Sequence, residues 1–461
     1  MCAARRNRST DGLEMDAQQI TDRLRELAEK NAVPGAQLAY VSSTDDISVA
    51  IGVRCHGRPE PVDTQTAFPF GSVTKAFTAT LVAQLASDGE VDLDEALGEV
   101  LPEWRGPGNG AATPLTARHL LTHTGGLIGE HHTDDSASPS LLRYTASLSS
   151  LPLLHTPGTQ FSYSNAGYSV LGRLVEEATG GTWREALQSF LLRPLDISPH
   201  FLHGPRSGDR SLAQGHAVRP GRGLPQPVEP ALPPTWAPAG GLGGSAEDLI
   251  AFCRLHTGTH PAANRLLAEE HRSAMQDPCP VADPFGMADG WAHGLARYGP
   301  PSSDWLGHDG TVDGAACHIR FNPGTGEAVA LTTNATSGTS LWFDVVAELR
   351  SLGLDVGEYR LPAPAAPSAA TDRSLLTLLV GDYANGDTVF SVRPHGDGLR
   401  LSDRTGLVAD LILHDDLVFT ARRVDTAAPP YPGRFLPDHD NDGIGLLQLT
   451  GRTAKRVSTG G

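Results

Sequence analysis

A short apolar run that meets a glycine and continues as a helix constrains this chain more than any other stretch. Residues 68–70 are Phe-Pro-Phe, and Gly71 follows them. Apolar positions near a 3.6-residue period then predict a helix that ends at about residue 88. Ser72 belongs to the first turn of this helix. Because residues three apart share one helix face, the Lys75 amine can reach the Ser72 hydroxyl.

Ser72 and Lys75 are residue types that can serve as a nucleophile and its general base. A serine hydroxyl is a weak nucleophile unless a base lies beside it. A lysine amine is such a base only when its pKa is lowered, which burial in an apolar helix achieves. Amides at a helix start can also stabilise an oxyanion. A lone Ser-x-x-Lys pattern is more often a helix cap with a solvated lysine, so the assignment depends on further motifs.

Length, charge and cysteine content exclude several classes of protein. The 461 residues are enough for one large domain and a smaller one. The net charge of −17 argues against a nucleic-acid partner. Five scattered cysteines without a Cys-x-x-Cys pair favour a reducing compartment, with no zinc site and no bound cofactor. We find no signal peptide and no apolar run that could cross a membrane, so we expect a cytoplasmic protein.

A Pro- and Ala-rich segment at residues 361–373 is the predicted boundary between two domains. Residues 16–360 mix helical and strand patterns, which predicts an α/β catalytic unit. Residues 374–457 contain short alternating runs at 388–392, 399–402, 407–413, 417–422 and 445–450. These runs predict a small antiparallel β-barrel or sandwich.

Within the first unit, periodicity predicts the main elements. Helices are predicted at residues 16–32, 92–101, 117–122, 168–178, 183–192, 249–256 and 341–352, and strands at 36–41, 47–53, 318–321 and 328–333. Residues 199–238 are rich in Pro, Gly and Arg, which predicts a long irregular segment over a cleft. The glycines at 240–244, which follow Trp236, indicate backbone that closely approaches another group, so Trp236 and Gly241 are candidate substrate contacts.

Two further motifs supply groups that acyl transfer requires. Tyr163 and Asn165 precede a predicted helix, where a phenol can pass a proton and an amide can bind the substrate backbone. Their ordinary interpretation is a helix cap. His308 and Gly310 lie just before a strand pattern, where a polar side chain would stand above backbone that can pair with a peptide. An exposed turn histidine is the ordinary interpretation of His308.

Ser72-Val-Thr-Lys75, Tyr163-Ser-Asn165 and His308-Asp-Gly310, in this order, resemble the three motifs of the serine β-lactamase and penicillin-binding-protein superfamily. The similarity is to its class C and DD-peptidase branch. It implies a mixed α/β region beside an all-helical region, with Ser72 in the cleft between them. It also implies an acyl-enzyme on Ser72, proton transfer by Lys75 and Tyr163, and an oxyanion hole from the backbone amides of Ser72 and Thr311.

The third motif departs from the β-lactamase pattern. His308 stands where β-lactamases usually carry lysine. Histidine at this position is similar to peptidase-like, aminopeptidase-like and esterase-like relatives. We therefore expect hydrolysis of β-lactam drugs to be a poor description of this chain.

The predicted β-barrel at residues 374–457 indicates which members of the superfamily this chain resembles. A catalytic domain of this superfamily followed by a lipocalin-like barrel resembles the penicillin-binding-protein-type thioesterases of nonribosomal peptide synthesis. That resemblance implies a transient peptidyl carrier protein as partner, whose phosphopantetheine carries the peptide. It also implies head-to-tail cyclisation, with a D-residue at the acyl end. Arg434 or Arg452 of the tail is expected to bind peptide carbonyls, although each could equally be a surface arginine that closes a hairpin.

Two other functions fit the same residues. A D-stereospecific aminopeptidase or esterase would share the motifs and use water as the acceptor. A non-catalytic binding protein could keep the fold, but the presence of all the catalytic residue types argues against it. The polar run Gly-Glu-His-His at 129–132 and the acidic loop at 438–443 could suggest metal sites, but their ligand spacing favours a solvated loop and a hairpin turn.

Overall fold

The computed structural model describes residues 16–105, 114–133, 140–204, 210–219, 222–300, 303–359, 373–424, 430–437 and 443–457. Residues 360–372, which hold nearly all of the predicted linker, and residues 438–442 of the acidic loop lie outside this set. No helix within these ranges is long and apolar enough to cross a membrane.

The helices of the described ranges are numbered in chain order. They are α1 Ala17–Lys30, α2 Thr74–Ser87, α3 Leu97–Val100, α4 Ala117–Leu121, α5 Leu141–Ser149, α6 Asn165–Thr179, α7 Trp183–Ala186, α8 Ala237–Gly240, α9 Ala246–Thr257, α10 Ala263–Leu266, α11 Glu269–Gln276, α12 Gly338–Ser351 and α13 Arg373–Leu379.

The strands are numbered in the same way. They are β1 Gly35–Val41, β2 Asp46–Gly52, β3 Phe68–Pro69, β4 His200–Phe201, β5 His216–Arg219, β6 Arg222–Pro227, β7 Leu242–Gly244, β8 Gly290–Trp291, β9 Ala296–Tyr298, β10 Trp305–Val312, β11 Ala315–Phe321, β12 Ala328–Thr333, β13 Gly381–Asn385, β14 Thr388–His395, β15 Gly398–Ser402, β16 Val408–Leu413, β17 Val418–Arg423, β18 Tyr431–Pro437, β19 Ile444–Leu449 and β20 Arg452–Val457.

A seven-stranded antiparallel sheet, in the order β2-β1-β12-β11-β10-β9-β8, forms the frame of the catalytic region. Side chains of β1 alternate between two cores, as the two-residue period of a strand requires. Leu38 and Tyr40 pack with α1 and α12, whereas Ala39 and Val41 join the core around α2 and α9. Helices therefore cover both faces of the sheet, which confirms the predicted α/β layer.

Helix α2 is the centre of the helical region. Its residues from Thr74 to Leu85 are all buried, because α6, α8 and α11 pack around it. A helix that is buried on every side lies in the core, and its polar side chains then need partners inside the protein. Ser72 lies in the 3₁₀ turn Gly71–Val73 at the start of α2, at the point where the helical region meets strand β10.

Several predicted elements differ from the observed ones. The predicted helix at 183–192 is α-helical only in α7 and continues as a π-helix over Leu187–Leu192, and α9 and α12 begin three residues before their predicted starts. Helix α6 begins at Asn165 instead of residue 168, because the Ser164 side chain accepts a hydrogen bond from the Gly167 amide and caps it. The predicted helix at 92–101 is confined to α3, since the Asp92 carboxylate accepts the Asp94 amide in a local turn that competes with a helix. The segment 199–238 is not irregular throughout, because it contains β4 and the β5–β6 ribbon.

The C-terminal region is a closed barrel in which each strand from β13 to β20 pairs with the next and β20 returns to β13. Closure removes exposed strand edges, which explains why a barrel forms rather than a sandwich. Its interior is filled by buried apolar side chains, among them Tyr383, Phe419, Phe435 and Leu447. The five predicted runs correspond to β14–β17 and β19, whereas β13, β18 and β20 were not predicted.

The barrel docks on the chain segment that carries the second motif. The Tyr163 amide donates to the Gly451 carbonyl at 2.9 Å, and the Thr453 hydroxyl donates to the Phe161 carbonyl at 2.8 Å. The Gln448 side chain donates to the same Phe161 carbonyl at 3.1 Å. The β19–β20 hairpin therefore positions the backbone on either side of Ser162.

Candidate active site

Ser72 and Lys75 form the contact that the sequence predicts. The Lys75 Nζ atom lies 3.1 Å from the Ser72 Oγ atom and donates to the Ala239 carbonyl at 2.7 Å. Lys75 is fully buried, and burial lowers its pKa well below the usual value. The nearby charge of Arg452 lowers the pKa further, while that of Glu130 opposes the shift. The lowered pKa favours the uncharged amine, which is the form that can accept the Ser72 proton.

Two glycines allow strand β10 to pass directly against the nucleophile turn. Gly71 has a φ of +53°, and a Cβ there would stand 2.8 Å from the Thr311 amide nitrogen. A Cβ on Gly310 would collide with the Phe70 carbonyl and lie 2.9 Å from the Ser72 amide nitrogen. Only glycine permits this approach. The amides of Ser72 and Thr311 thus belong to one junction, where the sequence predicts an oxyanion hole.

Tyr163 lies against the catalytic amine. The Lys75 Nζ atom is 4.9 Å from the centre of the Tyr163 ring. Burial raises the pKa of Tyr163, and a hydrogen bond with Ser72 opposes that shift only in part. The phenol therefore keeps its proton at neutral pH, which is the form that can donate a proton or relay it.

His308 lies behind Tyr163, and the two ring centres are 6.4 Å apart. Its Nδ1 atom is 2.6 Å from the Asp309 carbonyl, so Nδ1 carries the proton and Nε2 is left as an acceptor. Burial, followed by the nearby Lys75, lowers the pKa of His308 to about 3. The third motif therefore contributes a neutral ring at the position where a lysine would contribute a positive charge.

Three polar side chains meet at the mouth of the site. The Glu130 Oε1 atom accepts the Arg452 guanidinium at 3.0 Å and the Asn165 side-chain amide at 3.3 Å. Arg452 also lies 5.8 Å above the Tyr163 ring. Arg452 and Asn165 are predicted site residues, whereas Glu130 was missed. Its sequence neighbours suggested only a solvated loop, and no spacing rule links it to residue 452.

His123 is a second residue that the sequence reasoning did not select. Its ring centre is 4.3 Å from that of Tyr163, and its Nδ1 atom accepts the Ser164 amide at 3.1 Å. Burial, followed by the charge of Lys75, lowers its pKa well below the usual value. The run Thr-His-Thr-Gly-Gly at 122–126, which is typical of the superfamily, was the available signal.

A cleft of about 400 Å³ opens above Ser72. Of the predicted residues, it is lined by Ser72, Asn165, Trp236, Thr311 and Arg452, and Glu130 also belongs to its wall. Lys75, Tyr163 and His308 are almost completely buried and stand behind Ser72. Of the four residues predicted to be catalytic, only Ser72 lines the cleft.

Three predicted substrate contacts are not part of the cleft wall. Gly310 packs beneath it, against the Phe70 carbonyl and the Ser72 amide. The Arg434 guanidinium donates to the Asp283 carboxylate at 2.6 Å and lies 4.7 Å from the Phe285 ring centre, outside the cleft lining. Gly241 donates its amide to Ala237 in a local turn, and Ala239 and Gly240 line the cleft in its place. In the described part of the chain, no cluster of His, Cys, Asp and Glu could hold a metal ion.

Comparison with known proteins identifies the family. The Beta-lactamase family model matches residues 20–347. Penicillin-binding protein 4 of Amycolatopsis lactamdurans is 33% identical over 368 residues, which are 78% of this chain and 96% of that protein. The crystal structure of SurE has a TM-score of 0.85 and 40% identity, and the match covers 96% of this chain and 99% of SurE.

Two more structures extend the comparison. A structure of SurE with D-Leu has a TM-score of 0.84 and 39% identity over the same share of both chains. A class C beta-lactamase, at 20% identity and a TM-score of 0.61, covers 73% of this chain and 98% of its own, and shares the fold. The family match spans more than half of the chain, and the motifs meet around one buried lysine. This chain belongs to the superfamily of serine β-lactamases and penicillin-binding proteins.

Proposed function

We propose that this protein is a serine acyltransferase that accepts a peptide from a carrier-protein thioester and releases it as a macrocycle. The observation that carries the proposal is the Ser72–Lys75 pair, in which a fully buried amine with a lowered pKa lies 3.1 Å from a hydroxyl that opens onto the cleft. The acyl donor brings its own phosphopantetheine, so the reaction needs no cofactor bound to this chain.

The chemistry of the first half-reaction follows from these positions. Lys75 takes the hydroxyl proton while Ser72 Oγ attacks the thioester carbonyl. The amides of Ser72 and Thr311 are suited to stabilise the resulting oxyanion. As the carbonyl re-forms, the carbon–sulfur bond breaks and the thiolate receives the proton, with Tyr163 as a relay. The products are an acyl ester on Ser72, a free thiol and a neutral Lys75.

The uncharged His308 of the third motif favours a thioester donor over a cell-wall or β-lactam substrate. A lysine at that position would offer a positive charge to a substrate carboxylate, whereas His308 is buried and uncharged. A thioester acyl end has no carboxylate to neutralise. The D-Leu complex of SurE supports a D-residue at this acyl end, since SurE is similar over almost the whole chain.

The barrel supports transfer to an amine instead of water. It contributes Arg452 to the cleft wall, so the substrate channel is bounded by both domains. Such a boundary can fold a peptide back on its own acyl end and reduce access of water to the ester.

A synthetic peptidyl pantetheine thioester with a C-terminal D-residue tests the proposal. We expect thiol release, an acyl adduct on Ser72 in the intact mass, and a cyclic product. Ser72→Ala should give neither adduct nor thiol. A purely linear product would instead identify a hydrolase of the same superfamily, and a lack of adduct with any thioester or ester would contradict the proposal.

A further inference from the structure

Two acidic side chains line the cleft, and the first half-reaction uses neither. Asp313 already accepts the Ala231 amide at 2.8 Å, so Glu130 is the candidate. It lines the same cleft as Ser72. One of its oxygens, Oε1, accepts both Arg452 and Asn165. The other oxygen, Oε2, makes no hydrogen bond to the residues that the structure describes. An acceptor is thus available beside the nucleophile.

The charges around Glu130 indicate which kind of ligand its Oε2 atom would bind. Burial lowers the pKa of Lys75, His308 and His123, which favours their uncharged forms, so these groups offer Glu130 little compensating charge. The Arg452 guanidinium is its ion-pair partner, and the two side chains are 42% and 38% exposed. An ion pair this exposed contributes little to stability, so it can exchange partners at little cost. A cation that enters the cleft would form a second ion pair with the Glu130 carboxylate.

We propose that Glu130 binds the ammonium group of the attacking amine and receives its proton before the amine attacks the Ser72 ester. This inference rests on the function proposed above and adds the group that selects an amine over water. Asn165 and Arg452 hold one carboxylate oxygen, and the other faces the acceptor amine.

The proton balance is complete with the groups present. The ammonium transfers one proton to Glu130, which passes it to solvent through its exposed side. The neutral amine then attacks the ester carbonyl, and a nitrogen–carbon bond forms. As the carbon–oxygen bond to Ser72 breaks, the second nitrogen proton reaches Ser72 Oγ through Lys75. The products are an amide, a free Ser72 hydroxyl and one released proton.

Glu130→Gln tests this role, because glutamine keeps the size and can still accept from Arg452. With a cyclisable peptidyl thioester, we expect the ratio of cyclic to linear product to fall at least about tenfold, since hydrogen bonds to charged groups are the strong ones. A thioester of the same peptide with a terminal hydroxyl in place of the amine should retain its ratio of lactone to linear acid. Glu130→Asp should recover part of the cyclic product.

Asp283→Asn is the matched control, because Asp283 also pairs with a barrel arginine but lies outside the cleft. It should leave the product ratio unchanged. If Glu130→Gln cyclises the amine substrate with the wild-type ratio, the inference is wrong while the proposed function stands. Equal losses with the amine and hydroxyl substrates would assign Glu130 a structural role and also overturn it. If wild-type enzyme forms no cyclic product, the proposed function itself fails.

Discussion

The two halves of the active site are built in different ways. Ser72 and Lys75 lie three residues apart, and the start of one buried helix sets their separation. Glu130 and Arg452 come from distant parts of the chain and meet beside Tyr163, where the barrel docks. The first half is therefore encoded locally, whereas the second half depends on contacts between two domains.

The halves also differ in their exposure to water. Lys75 and Tyr163 are 0% and 4% exposed, so desolvation dominates their protonation states. Glu130 and Arg452 are about two-fifths exposed, so their charges are screened. Substitutions in the buried half should abolish acyl transfer. Substitutions in the solvated half should change the ratio of amine to water as acceptor and the pH dependence of the rate.

Lys75→Met should have the largest effect, because it removes the base and leaves a side chain of similar length. We expect thiol release from a peptidyl thioester to fall by about 10³-fold or more. The melting temperature should stay the same or rise, since a buried amine is replaced by an apolar group. A variant that keeps more than a tenth of the wild-type rate would show that another group takes the Ser72 proton.

Tyr163→Phe should come next, because it removes one hydroxyl and keeps the ring that packs against His123 and Trp291. We expect kcat to fall about 10²-fold with little change in KM, as befits a proton relay. Steady-state kinetics with the thioester would measure both. A change confined to KM would assign the phenol to binding instead.

Thr453→Val tests whether the docked barrel positions Tyr163, which belongs to the buried half of the active site. It removes the hydrogen bond to the Phe161 carbonyl and leaves that acceptor without its hydroxyl donor. We expect about 1 kcal/mol less stability and a loss of about tenfold in kcat, because Tyr163 would lose part of its support. Ser391→Ala is the control, since Ser391 bonds to Asp382 within the barrel. Unchanged kcat in Thr453→Val would show that docking is structural only.

Arg452→Gln should shift the pH profile of acylation. The Arg452 charge lowers the pKa of Lys75, so its removal raises that pKa. Acylation needs the neutral amine and therefore appears as pH rises through this pKa, so the acid limb should move to higher pH. The exposed guanidinium is screened, and the shift should be less than about one pH unit. A shift to lower pH would contradict the assigned electrostatics.

The contrast between the halves also explains what the sequence could predict. The contact between Ser72 and Lys75 and the helix around them were predicted correctly, because a helical period places residues three apart on one face. The barrel was expected from alternating runs, but β13, β18 and β20 were missed. In β18, Pro432 and Gly433 interrupt the alternation, yet the residues still form ladder pairs with β17.

Helical period and strand alternation do not predict contacts between distant segments of the chain. Arg434 and Arg452 look alike in sequence, since each directly follows a glycine. Only the docking geometry separates them, because the β19–β20 hairpin carries Arg452 to Glu130 while Arg434 meets Asp283. Local spacing contains no information on which carboxylate each arginine meets.

Arg434→Gln should have the smallest effect and sharpens the comparison with Arg452. Its ion pair with Asp283 lies outside the cleft, and Asp283 is 58% exposed, so the pair should add only about 0–1 kcal/mol to stability. We expect kcat/KM for the thioester to stay within about twofold of wild type. A double-mutant cycle with Asp283→Asn would measure the coupling by chemical denaturation. A loss of tenfold or more in kcat/KM would mean that the substrate extends to Arg434, and that the barrel contacts it over a wider surface than the cleft.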